Sequence, residues 1–164
     1  MKIPDHLHVN HVARCADRLL ATCFADGTLR DLRSFEIVAR LDGHFLHDGV
    51  VHGEALWLTS IDGGVIELDR STLRQRRRME VFAAGHYGWC RGLSVTDEHL
   101  AVGLTEVRRG RLPRHRWADL DPAGSETSVL LLDRQHGRLL ARVDLTDPTR
   151  HAKIYSVLPM EEAP

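Results

Sequence analysis

The sequence predicts an all-β fold assembled from repeated four-stranded units, and two observations carry that prediction. Short runs of alternating apolar and polar residues are bounded by Gly and Asp clusters, the period-2 pattern of antiparallel strands. The stretch Gly43 to Asp69, GHFLHDGVVHGEALWLTSIDGGVIELD, shows this most plainly. A mixed run interrupted by His47-Asp48-Gly49 is followed by a turn at Gly53-Glu54. The strand-like LWLTSI, a glycine turn at Asp62-Gly63-Gly64 and a second run, VIELD, come next. The pattern also recurs. Thr22 matches Thr59, and Asp26-Gly27 matches Gly63-Gly64, with a shift of about 37 residues. A recurrent unit of about 40 residues holding four short strands is the mark of a β-propeller blade.

The first copy runs from His8 to Gly43. Its strands read HVNHVA, LLATCF, TLRDL and EIVARL, with turns at Ala16-Asp17, Ala25-Asp26-Gly27 and Arg33-Ser34. The second runs from His44 to Gly85, with FLHDGVV, LWLTSI, VIELD and a fourth strand near Met79 to Phe82. The third runs from His86 to Leu145 and reads GWCRGLSV, HLAVGLT, SVLLLD and LLARVDL. It is longer because Glu106 to Thr127 is inserted between its second and third strands. Lys153 to Pro159, KIYSVLP, matches the opening strand of a fourth unit, and the polar Met160 to Pro164 is expected to fray. The chain is therefore expected to be one domain over residues 1–164 with an inserted loop at 106–127. It holds about three four-stranded blades and one extra inner strand, whereas closed propellers have about 4–8 blades. Such an arc is either a piece of a longer ring or is completed by self-association. A homodimer is favoured over larger closed rings, because twofold closure is the commonest.

Composition narrows the function classes. With Lys+Arg at 22 and Asp+Glu at 23, the formal charge is -1, which offers no general attraction for nucleic acid or membrane. No apolar run approaches the roughly 20 residues that span a bilayer. The opening MKIPDHLHVNH lacks the apolar region of a secretory signal, so a cytoplasmic location is expected. Cys15, Cys23 and Cys90 are odd in number and form no C-x-x-C pair, which argues against a disulfide framework. The chain carries 11 histidines, an excess whose distribution matters more than its size.

The Gly43–Asp69 stretch resembles one unit of the WD-repeat family, through its Gly-His opening and its glycine turn between the second and third strands. Leu68-Asp69 stands where that family closes on Trp-Asp. The C-terminal two-thirds is similar to a family of bacterial propeller proteins with no assigned function. The segments that carry this are Arg91-Gly92-Leu93, Ala101 to Arg108, Val129 to Asp133, Gly137-Arg138 and Ile154 to Pro159, with HLHVNHV at the start. The resemblance implies a propeller, here in a half-ring version, and no reaction.

The first strand of a blade lines the central channel, so chemistry is sought where those strands begin. Aligning the copies gives one column of Asn10, His47, Cys90 and Tyr155 and another of His11, Asp48, Arg91 and Ser156. Strand alternation sends neighbouring side chains to opposite faces, so only one column is expected to point squarely into the channel. Convergent polar groups in a concave place define a ligand site. His47, Asp48 and Arg91 combine an imidazole, a carboxylate and a guanidinium, able to hold an anion and move a proton. Cys90 beside Arg91 is a nucleophile if its pKa is lowered, and otherwise a core cysteine. Asn10, His11, Tyr155 and Arg108 complete the ligand-binding set. A layer of histidines lies just upstream, made of His6, His8, His44, His86 and His151. Such a layer either binds Fe, Zn, Cu or Ni or hydrogen-bonds within each blade, His44 through Thr59 to Asp62 for example.

The insertion EVRRGRLPRHRWADLDPAGSET carries five arginines, partly cancelled by Asp119, Asp121 and Glu126. That balance disfavours nucleic acid and suits a lid or a subunit contact. Arg76-Arg77-Arg78 reads as charge guarding an outer strand. No G-x-S-x-G, Walker A or H-E-x-x-H pattern occurs, so no nucleotide cofactor is implied. The sequence points to a propeller with a small-ligand or divalent-metal site in its channel, an enzyme or not. A non-catalytic interaction scaffold is the alternative.

Overall fold

The computed structural model describes residues 7–41, 45–107, 124–147, 149–150 and 152–158. It contains three four-stranded sheets, each antiparallel and ordered as in the chain. Blade 1 is β1 (Val9–Cys15), β2 (Arg18–Cys23), β3 (Thr28–Asp31) and β4 (Ile37–Arg40). Blade 2 is β5 (Leu46–His52), β6 (Ala55–Ser60), β7 (Gly64–Asp69) and β8 (Gln75–Glu80). Blade 3 is β9 (Trp89–Val95), β10 (His99–Thr105), β11 (Ser128–Asp133) and β12 (Leu139–Asp144). These are the three units that the sequence delimits. Among the described residues, no helix is long and apolar enough to cross a membrane.

One strand is displaced from its expected place. The fourth strand of blade 2 occupies Gln75–Glu80, and Val81–Ala84 forms a 3-10 turn instead. QRRRME lacks the apolar alternation that marks a strand, because an outer strand is solvated and needs little apolar surface. Its arginines do more than guard an edge. Arg77 pairs with Glu67 at 2.6 Å, lies over the Trp57 ring at 5.2 Å and donates to the Arg134 and Gln135 carbonyls of blade 3.

One turn is built three times between the third and fourth strands. Asp31, Asp69 and Asp133 each accept backbone N–H bonds from residues two or three further on. The main-chain carbonyl of each accepts from a residue four further on, Phe35, Leu73 or Gly137. Those three residues have φ of 62°, 57° and 70°. Short acidic side chains favour such Asx turns, so D-L-R-S-F, D-R-S-T-L and D-R-Q-H-G are one motif in three spellings.

The blades pack face to face through two apolar cores. Leu20 and Leu29 of blade 1 meet Leu46, Leu56, Leu58, Ile66 and Leu68 of blade 2. Trp57 and Val65, on the other face of blade 2, meet Cys90, Leu93, Leu100, Val102, Leu104, Leu130 and Leu132 of blade 3. β6 shows why ALWLTS works. Its alternate side chains enter opposite cores, so all six residues are buried. A smaller cluster of Ile61 and Val107, flanked by Phe24, Phe45, Phe82 and Trp89, caps one rim of the arc.

The segment expected as an extra inner strand lies beside blade 3 but is not a strand over residues 152–158. The Ile154 N–H donates to Thr105 Oγ1 at 3.1 Å, and Thr127 Oγ1 donates to the Ala152 carbonyl at 3.2 Å. A strand needs a ladder partner, and side-chain hydroxyls supply the contacts here.

Candidate functional site

The inner strands β1, β5 and β9 all begin with a bulge, and the bulges build the candidate site. Register breaks between Val9 and His11 in β1 and between Leu46 and Gly49 in β5. In blade 3, Val102 opposes Leu93 while Gly103 opposes Arg91, so Gly92 is the extra residue. A bulge suspends strict alternation and re-aims side chains. His47 and Asp48 are chain neighbours that regular pleating would send to opposite faces. Instead, His47 Nδ1 lies 2.9 Å from Asp48 Oδ2. One residue of each column thus meets the other at this bulge.

Hydroxyls on the second strands hold the bulged backbone. Thr22 Oγ1 accepts the His11 N–H at 3.0 Å and donates to the His47 carbonyl at 3.0 Å, joining blade 1 to blade 2. Thr59 Oγ1 accepts the Asp48 N–H at 3.0 Å. Asn10 Nδ2 donates to the Leu46 carbonyl at 3.2 Å, so Asn10 braces the next blade. Asp48 Oδ2 also accepts the Gly92 N–H at 2.6 Å, which joins blade 2 to blade 3. Gly92 has φ 63°, and a Cβ there would lie 3.1 Å from the Val157 nitrogen, so this donor needs a glycine.

The electrostatics follow from burial and these partners. Burial pushes the Asp48 carboxyl pKa up, but hydrogen bonding and charge from His47, the Gly92 N–H and His11 outweigh it. The net pKa is lower than usual, and Asp48 is a carboxylate. Burial pulls the His11 imidazole down against the opposing pull of Asp48. Arg91 is also pulled down by burial, while Asp48 and Tyr155 act to raise it. Its guanidinium lies 5.7 Å from the centre of the Trp89 ring, and its Nε is buried with no hydrogen-bond partner among the described residues.

The other predicted residues divide. Cys90 is fully buried in the core between blades 2 and 3, and burial raises its thiol pKa strongly. Of the two readings of Cys90, the core cysteine fits this burial and the low-pKa nucleophile does not, because desolvation outweighs the pull of Arg78. Its place in β9 matches that of the equally buried Leu46 in β5, not that of His47. Tyr155 is exposed, within electrostatic reach of Arg91. His6, His44, His151 and Arg108 lie outside the described residues. His8 is exposed and tilts against Phe24 with ring centres 5.3 Å apart. His86 Nδ1 lies 3.1 Å from Glu126 Oε1. Among the described residues, no group of three or more His, Cys, Asp or Glu is arranged to hold a metal ion. Thr59 and Asp62 do not form one relay, since Thr59 serves Asp48 while Asp62 accepts from Ser60 at 2.6 Å and pairs with Arg78.

Both described ends of the insertion emerge at the rim where the inner strands begin. Thr105 opposes Trp89, and beyond it the Val107 N–H donates to Ser125 Oγ at 2.9 Å. None of its described residues, 106–107 and 124–127, belongs to a strand. At the opposite rim a cleft of about 710 Å³ opens between blades 2 and 3, lined by His52, Trp57, Glu67, Arg77, Asp97 and Arg134 among others. Sequence reasoning missed Thr22, Gly92 and Trp89 as parts of the site. The one visible signal was Gly92, a glycine inside a strand, which suggests a bulge.

The fold and its bulged inner strands define a β-propeller arc of three blades. Its structural neighbours are propellers and designed proteins of similar shape. The computationally designed Ika8 protein superposes with a TM-score of 0.61 at 13% identity, over 93% of this chain and 40% of that one. The glutaminyl cyclase of Myxococcus xanthus gives 0.58 at 14% identity, over 86% of this chain and 52% of the cyclase. The β-propeller domain of Myceliophteria thermophila Cps50 (Swd1) gives 0.52 at 16% identity, over 84% and 43%. The chain thus spans about half or less of the length of these three proteins. No protein-family model and no curated protein matches the sequence.

Proposed function

We propose that the protein binds a small ligand in the channel, at the cluster of His11, His47, Asp48 and Arg91, and that a second copy closes the ring. The observation that carries the ligand reading is the His47–Asp48 pair. A bulge creates it, and the Gly92 N–H of the next blade holds it. Packing alone does not require a half-buried carboxylate there, because burying a charge costs free energy unless it is paired. The segments that resemble the uncharacterised bacterial propeller family include Arg91 to Leu93, on the strand that supplies Arg91 and Gly92. Self-association is supported by the blade count and by apolar side chains exposed on blades 1 and 3.

A thermal-shift screen of small molecules, with metal analysis of the purified protein, tests the ligand reading. A ligand that stabilises the wild type and not Asp48→Ala supports it. Binding that survives in Asp48→Ala and His47→Ala, or no ligand at all, overturns it. Stoichiometric Fe, Zn, Cu or Ni would bring the histidine layer into the site. Light scattering at micromolar concentration tests closure, for which a dimer is expected and a well-folded monomer is the contrary result.

A further inference from the structure

We propose that the channel site takes a small organic oxyanion, a carboxylate or phosphate ester, whose charged end docks on Arg91 and whose hydroxyl or amine hydrogen meets His47 Nε2. The inference rests on the ligand reading above and narrows it to a chemical class. The Arg91 Nε–H is buried without an acceptor among the described residues. A buried donor left unpaired costs about 1–3 kcal/mol, and an arriving acceptor would remove that cost. Asp48 is the nearby carboxylate, but its Oδ2 already accepts from His47 and Gly92. That oxygen is already engaged, and a guanidinium favours an anionic partner with two oxygens. Trp89 lies against the guanidinium and provides an apolar wall beside it.

The second half concerns polarity at His47. An ionised carboxylate only accepts, so Nδ1 must carry the hydrogen directed at Asp48 Oδ2. In the tautomer whose only hydrogen is on Nδ1, the ring has a lone pair at Nε2, oriented by Asp48 as in other carboxylate–imidazole pairs. A ligand hydrogen is the complementary group. Asp48 positions this imidazole through His47 and need not touch the ligand. His11 fits the same arrangement, since burial favours its neutral form and leaves Arg91 as the charged anchor.

The test is a titration of the ¹⁵N-labelled full chain, following arginine Nε–H and imidazole signals. Lactate, glycerol phosphate and sodium chloride are added at matched ionic strength. A saturable shift of Arg91 Nε–H and the His47 ring with lactate identifies the carboxylate class, and one with glycerol phosphate the phosphate class. Arg91→Gln should weaken that binding about tenfold or more. Arg91→Lys serves in its place if Arg91→Gln fails to fold. No saturable shift at Arg91 with either anion, or an equal shift with chloride, overturns the proposal. A neutral molecule from the screen that moves His47 and leaves Arg91 unmoved also overturns the oxyanion class, while the channel-ligand reading stands.

Discussion

Blade 2 and blade 3 share a topology and differ in what covers them. In β6 of blade 2, Leu56 and Leu58 enter one core while Trp57 enters the other, and every residue is buried. In β11 of blade 3, Ser128, Leu130 and Leu132 are buried while Val129, Leu131 and Asp133 are only half-buried. β12 has no buried residue at all. The exposed large apolar side chains follow the same division. Val12, Leu19 and Ile37 lie in blade 1, and Leu140, Val143, Leu145, Tyr155 and Leu158 lie in blade 3 or beyond it. None lies in blade 2. A blade is thus a two-faced layer whose stability depends on both neighbours, and the middle blade alone has both within the chain.

The largest expected effect breaks this contrast from the middle. Trp57→Ala or Leu56→Ala should cost about 3–5 kcal/mol in urea denaturation, because each leaves a cavity with no room to collapse. Val143→Ala, at a side chain 57% exposed, should cost well under about 1 kcal/mol under conditions that keep the chain monomeric. If Val143→Ala were as damaging as Trp57→Ala, the two faces would be equivalent and the contrast would fail. A sharper version uses concentration. Val143→Asp should lower the apparent mass in light scattering while leaving the circular dichroism spectrum of the monomer unchanged.

The next effect sits where blade 3 meets the segment at 152–158. A Cβ at Gly103 would lie 2.6 Å from the Arg91 carbonyl oxygen and 2.6 Å from Ile154 Cγ2. Backbone cannot yield as a flexible side chain does, so Gly103→Ala should destabilise by about 1–3 kcal/mol. Gly53→Ala is the control, because no heavy atom lies within 4 Å of its Cβ position and only the positive φ of 55° is strained. Its cost should be close to the roughly 1 kcal/mol of the backbone term alone. Equal costs at the two positions would mean that neither β9 nor the 152–158 segment crowds Gly103 as the structure has it.

A third effect compares two hydroxyls at the bulges. Thr22→Val removes an acceptor for the His11 N–H and a donor to the His47 carbonyl, both across bulged backbone. Thr59→Val removes the acceptor for the Asp48 N–H. At about 1–2 kcal/mol per buried group left unpaired, Thr22→Val should cost more. Hydrogen exchange at His11 and Asp48 reads the loss locally.

What the sequence made legible follows the same physics. Period-2 alternation is imposed by the pleat, so the three units and nearly all strands could be read from it. β8 was misplaced because QRRRME is solvated and carries no apolar pattern. The candidate site was legible only as a set of residue types, since His47, Asp48 and Arg91 have no packing reason to open inner strands. Its geometry was not legible. Bulges at Asn10, His47-Asp48 and Gly92 insert a residue without changing composition, and alternation read through them assigns the wrong face. Alternation aligns Cys90 with His47, whereas its burial matches Leu46 and fits a core cysteine.

The smallest expected effect is on the acid side of the stability profile, and it tests whether the channel cluster is one electrostatic unit. Asp48 has its folded pKa below the usual carboxylate value, because His47 and the Gly92 N–H outweigh its burial. A group with a depressed folded pKa contributes stability that is complete above its unfolded pKa, about 3.9 for Asp, and is lost as pH falls through the lower folded value. His11 is also depressed, by burial, so its neutral form is favoured. Its contribution is complete above about 6.5 and is lost as pH falls below that. Acid should therefore weaken the fold in two separate windows. Urea midpoints measured from pH 8 to pH 3 should show both. His11→Gln should flatten the upper window and shrink the lower one, because His11 also helps to depress Asp48, while Asp48→Asn should flatten the lower. The two groups face each other, so Asp48→Asn should also move the upper window: loss of the carboxylate removes the pull that raises His11, lowers its folded pKa further and deepens the loss below pH 6.5. An Asp48→Asn profile that matches wild type above pH 5 would show that the two residues do not share a site.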